Sequence, residues 1–161
     1  MADKVSQSGR LIVVEATPLL DNIALVTTGD NVGGKLTFTS PKLSGRAGEG
    51  WILRAVTVTD KAKQSANLDL ILFDSDPSGS TFTDNTAQTI VDADLVKIAG
   101  FVQITSYAAF ADNSVGRGEV TREQPVILAA DQKFYGCLVA RAGPTYVALG
   151  DLLVRLTLEA V

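Results

Sequence analysis

The sequence predicts an all-β protein: an antiparallel β-sandwich, of the jelly-roll kind, with one short helix at residues 92–98. Three observations carry this prediction. Eight or nine short apolar segments are separated by Gly-, Pro-, Asn- and Asp-rich turns, spaced about every ten residues. The chain is 46% hydrophobic but only 6% aromatic, so its apolar content is mostly small and branched aliphatic residues that suit a pleated sheet. Only one segment, Asp92 to Ile98, has helical spacing.

The elements follow in chain order. Residues 1–9 are polar and without a structural period, which reads as a flexible arm; residues 10–161 read as one β-sandwich domain. Leu11-Ile12-Val13-Val14 predicts a first strand within Arg10 to Ala16, ended by Pro18, which cannot donate to a sheet ladder. Ile23 to Thr27 is a second candidate strand. Gly29 to Gly34 reads as a hairpin turn, followed by the alternating strand Lys35 to Thr39.

The glycine-rich loop Ser44 to Gly50 leads into a strand from Trp51 to Thr59. Leu53, Ala55 and one of Val56 or Val58 are expected to face inward, with the phase open at Ile52. Leu68, Leu70 and Leu72 share one face of the next strand, and Asp69, Ile71 and Phe73 share the other. The chain then enters a long acidic, hydroxyl-rich excursion over 74–94. In its helical piece Asp92 is placed to cap, and Leu95 with Ile98 forms an i,i+3 apolar pair. Phe101 to Thr105, Pro125 to Leu128, Phe134 to Ala140 and Leu152 to Leu158 supply the remaining strands.

Composition excludes several functions. The 14 Lys and Arg are scattered and are outnumbered by 18 Asp and Glu, a net charge of -4 that does not suit a nucleic-acid phosphate backbone. No apolar run reaches the ~18 residues of a membrane helix, so no membrane partner is expected. Met1 to Ser8 lacks the apolar segment of a signal peptide, which predicts synthesis in the cytoplasm. Cys137, the single cysteine, sits in an apolar strand and reads as an inert core residue.

The chain has no histidine, which removes the commonest general base and the commonest zinc ligand. Glu15, Glu49, Glu119, Glu123 and Glu159 form no obvious catalytic pair, and the protein is read as a non-enzyme without catalytic residues or cofactor. Gly29 to Leu36 approaches a phosphate-binding loop. It has Leu36 where a hydroxyl must hold magnesium, and a strand where a helix must follow. Asp74 to Gly79 opens like a calcium loop, but Asn85 stands where a bidentate glutamate is required; no metal ligand is assigned. Trp51, Tyr107, Tyr135 and Tyr146 could line a sugar site but read first as core or subunit-contact residues.

Several segments taken together and in order carry a family likeness. They are Gly33 to Phe38, Val58 to Lys61, Leu68 to Pro77, Thr81 to Asn85, Ala93 to Leu95, Tyr107 to Ala111 and Leu138 to Arg141. Over roughly residues 30–158 the chain resembles the head decoration, or cement, proteins of tailed bacteriophages. The resemblance implies a virion structural protein, often a homotrimer, that binds the outer surface of the major capsid protein shell. It brings no active-site residues. On this reading the contacts are expected from Asp74, Asp76, Thr83, Asp84 and Asn85 in the long loop, and from the arm ending at Arg10. The alternative is a carbohydrate-binding β-sandwich module of a tail fibre or adhesion protein.

Overall fold

The computed structural model describes residues 10–21, 23–43, 47–120 and 124–161. The expected arm at residues 1–9 and the carboxylate of Glu123 lie outside the described residues. The chain is all-β. Its strands are β1 (Leu11–Ala16), β2 (Asn31–Phe38), β3 (Gly50–Asp60), β4 (Leu68–Phe73), β5 (Ile98–Ala109), β6 (Ser114–Gly118), β7 (Gln124–Ile127), β8 (Phe134–Ala140) and β9 (Leu152–Ala160). A one-turn helix, α1 (Asp92–Leu95), and a 3-10 turn at Pro41–Leu43 complete the regular structure. None of the described helices is long and apolar enough to cross a membrane.

All the strand pairings are antiparallel and belong to one nine-stranded sheet, in the order β1-β9-β3-β6-β5-β4-β8-β2 with β7 also on β3. Neighbours are mostly distant in sequence, as in Greek-key and jelly-roll sandwiches. The sheet curls until its two end strands approach each other at a bridge between Glu15 and Thr39. Inside lies one core, to which Ile12, Val14, Leu36, Phe38, Trp51, Leu53, Val56, Val58, Leu68, Leu70, Val102, Ile104, Leu138 and the alternate residues of β9 all contribute.

The uncertain phase of the third expected strand has a physical origin. The register of β3 against β9 shifts between Leu53 and Ala55, a bulge at Arg54. Trp51 and Leu53 point inward before it and Val56 and Val58 after it, so Ala55 does not take the inward place expected of it.

Three further expectations are corrected, and one strand is added. Ile23 to Thr27 is not a strand: only Val26 is buried, and its amide donates to the Pro144 carbonyl in another loop. Gly33 and Gly34 are not in a hairpin turn. They form a bulge inside β2, both with φ 76°, and a Cβ on Gly33 would stand 2.2 Å from Pro18 Cβ. Gly116 and Gly118 lie in β6, which the sequence reading leaves out. A Cβ on Gly116 would meet the Tyr107 ring at 2.5 Å, and one on Gly118 would meet Val102 at 2.5 Å. Lastly, helix α1 ends at Leu95, and Ile98 already begins β5.

Candidate functional site

The long excursion is a second layer over the sheet rather than a free loop. Its neck is closed by the Asp74 amide, which donates to the Lys97 carbonyl at 2.9 Å. Between these residues the chain folds across the outer face of β4 and β8. Strand β8 is consequently buried at every residue, as a strand covered on both faces must be. A small second core forms there from Phe73, Ala129, Tyr135, Cys137 and Val139, with Phe82, Ile90 and Ile98 packed on it. Phe82 meets Phe73 edge to face, with ring centroids 6.0 Å apart. The Cys137 thiol lies at its centre, and burial pushes its pKa up to about 12.

The excursion is also fastened to β2. The Asn31 amide donates to the Thr86 carbonyl and the Asn85 amide to the Asn31 carbonyl, each at 2.8 Å. These bonds occupy part of an otherwise open strand edge. Asn85 adopts a left-handed conformation with φ 55°, which asparagine tolerates well, and its side-chain amide reaches the Ala24 carbonyl at 3.3 Å. Asp76 pairs with Lys35 of β2 at 2.7 Å, and the Lys35 ammonium lies 5.5 Å from the Tyr135 ring centroid.

Asp84 is the main fastening. It is only 5% exposed. One carboxylate oxygen accepts from the Gly33 amide at 2.6 Å and the other from the Asp21 amide at 3.1 Å. Asp84 therefore belongs inside the protein, and its expected place at an outer contact is corrected. A carboxylate buried here satisfies two amides that no ladder serves.

The remaining expected contact residues are placed as follows. Asp74 is half-buried and accepts from the Ser75 hydroxyl at 3.0 Å. Thr83 is exposed, and its carbonyl accepts from the Thr86 hydroxyl. Arg10 is exposed at the start of β1, its carbonyl accepting from the Ala160 amide. Arg10 is not brought together with the excursion residues by any contact among the described residues. Asp74 and Asp76 have separate partners, and among the described residues no three acidic or thiol side chains are grouped to hold a metal ion.

Asp92 does not cap α1. Val91 takes the N-cap position without a side-chain bond. Asp94 points inward instead, accepting from the Ser80 hydroxyl and the Lys97 ammonium, each at 2.7 Å. The hydrogen bond from Lys97, then that from Ser80, holds its carboxyl below the usual carboxylate range. A lowered folded-state pKa means that this contribution is present above the unfolded pKa and is lost as pH falls through the folded one. Asp94→Asn should melt below the parent at neutral pH, and the gap should close in acid. Thermal melts of both proteins across that range check this.

With Asp94 turned in, Leu95 turns out. Leu95 is 54% exposed and Val96 84%, with Val91 beside them also exposed. This apolar crest is absent from the sequence-based list of contacts, and Leu95 reads there only as half of an i,i+3 apolar pair with Ile98. A single turn is too short for periodicity to fix its buried face.

Elsewhere Trp51, Tyr135 and Tyr146 are buried in the protein, and the half-buried Tyr107 gives its hydroxyl to the Ala66 carbonyl. They line no open sugar platform. Glu15 pairs with Arg155 at 2.8 Å and Glu159 with Arg54 on the outer face of the sheet. The fold and this site together define an all-β domain: a curled sheet carrying a fastened second layer with an apolar crest. No protein-family model matches the sequence, and no curated protein matches it.

Proposed function

We propose that this protein is a virion structural protein that decorates and stabilises a tailed-phage capsid from the outside, with no catalytic role and no cofactor. The reading begins from the ordered resemblance to head decoration proteins. The observation that carries it in three dimensions is the crest of the excursion, where Leu95 and Val96 face solvent from a layer fastened to the sheet at Asp84 and braced internally at Asp94. Exposed apolar side chains on a pre-organised support are what a protein contact needs, because little ordering entropy is lost on docking. The major capsid protein is the proposed partner of this crest, with Thr83 and Asp76 proposed as further, polar contacts of the excursion.

Decoration stabilises by linkage: a protein that binds only the assembled shell lowers the free energy of that state. Adding the purified protein to undecorated heads should raise their melting temperature. The double variant Leu95→Glu, Val96→Glu should keep its own stability, since both side chains are exposed. It should lose about 3 kcal/mol of binding, more than a hundredfold in affinity. Heads whose melting is unmoved by the parent protein contradict the reading.

A further inference from the structure

The open edge of β1 offers a second contact surface. The Arg10 carbonyl accepts from the Ala160 amide, so Arg10, Ile12 and Val14 turn their backbone groups toward β9. Leu11, Val13 and Glu15 turn theirs the other way. Glu15 is used there, in its bridge to Thr39. Among the described residues, nothing pairs with the edge-facing amides and carbonyls of Leu11 and Val13. The side chains of these two residues are also exposed, Leu11 at 60% and Val13 at 45%, on a sheet face where polar residues are the rule. The run Leu11 to Val14 contains no proline, charge or glycine, the usual devices that blunt an edge.

We infer that β1 pairs antiparallel with β1 of a second copy of this chain, about a two-fold axis at Ile12. The register follows from the groups that are free. Among the described residues of this edge only Leu11 and Val13 have open groups, so Leu11 must lie opposite Val13 of the second copy, and Ile12 opposite Ile12 of the second copy. Each Leu11–Val13 pair then exchanges both of its backbone hydrogen bonds, and the Glu15–Thr39 bridge is left intact. A register shifted by one residue would put inward and outward side chains opposite each other.

A second copy fits this edge because the strand is self-complementary. Exposed Leu11 and Val13 of each chain meet Val13 and Leu11 of the other. The nearby outward acids are already neutralised, Glu15 by Arg155 and Glu159 by Arg54, so two-fold pairing brings no unpaired like charges together. Such an isologous interface is closed and stops at two chains.

Light scattering on the purified full chain tests this. The parent should show twice the 16.9 kDa chain mass. Val13→Pro removes an N–H that points to the open edge and takes no part in the β1–β9 ladder. It should halve the mass while leaving the circular dichroism spectrum unchanged. Val13→Lys, which places a charge against the second copy, should halve it as well and carries the test if the proline variant does not fold. A parent of one-chain or three-chain mass overturns the inference. So does retention of the two-chain mass by every variant that folds.

Discussion

Gly33→Ala should lower the melting temperature by roughly 10 °C or more, the largest loss expected from adding a single methyl group to this chain. The residue sits in the bulge of β2 at φ 76°, a conformation that costs an L-residue of the order of 1 kcal/mol or more. The new Cβ would also meet Pro18, at 2.2 Å from its Cβ and 2.8 Å from its Cα. Because the nearest atoms include backbone, no rotamer change relieves the contact. The segment around Pro18 must move, and it carries two bonds: Leu19 donates to the Gly33 carbonyl at 2.7 Å and Asp21 donates to Asp84. Strain and lost bonds together come to about 4 kcal/mol, and 1 kcal/mol is worth about 2–4 °C in a domain of this size. Differential scanning calorimetry measures the loss.

Asp84→Ala strikes the same node from the other side. It leaves the Gly33 amide buried without its acceptor and the Asp21 amide without its own. Removing a charged acceptor from a buried donor costs about 1.5–3 kcal/mol, and the total expected is about 3 kcal/mol. The loss should be local before it is global, because Asp84 fastens the excursion and takes no part in the main core. Cys137 reports on this directly. It is the sole thiol, it is buried beneath the excursion, and burial holds it in the unreactive protonated form. The parent should resist a thiol reagent at neutral pH, whereas Asp84→Ala should react at least tenfold faster, as expected when the free energy of a subglobal opening falls by more than about 1.4 kcal/mol. Equal labelling rates would mean that the excursion does not depend on Asp84.

The fold was legible where hydrophobic period and strand geometry agree. Leu68, Leu70 and Leu72 line the main core, and Phe73 faces the second one, as their alternation requires. The unbroken run Phe134 to Ala140 reads as a buried strand, and the structure buries every residue of it. The failures share a cause: in each, a tertiary contact chose the residue. The sequence reading leaves β6 unassigned, because its glycines carry no strand signal; they are there to admit the Tyr107 ring and Val102. Gly33 read as a turn residue, yet it makes room for Pro18. Ile23 to Thr27 has the residues of a strand, but among the described residues no strand pairs with it.

The candidate site was legible in its extent and not in its polarity. The acidic stretch marked the excursion, but an aspartate that fastens a loop and one that faces a partner look alike in sequence. Asp84 and Asp94 proved to be the first kind, each accepting hydrogen bonds within the protein. The outward face falls instead on Leu95 and Val96, neither of which the sequence reading places among the contacts.

A reconstruction of undecorated heads after incubation with the purified protein tests the central claim most directly. Density for the curled sheet should appear on the outer surface of the shell, with Leu95 and Val96 against the major capsid protein. Heads without added density, or density in which this crest faces solvent, would contradict it.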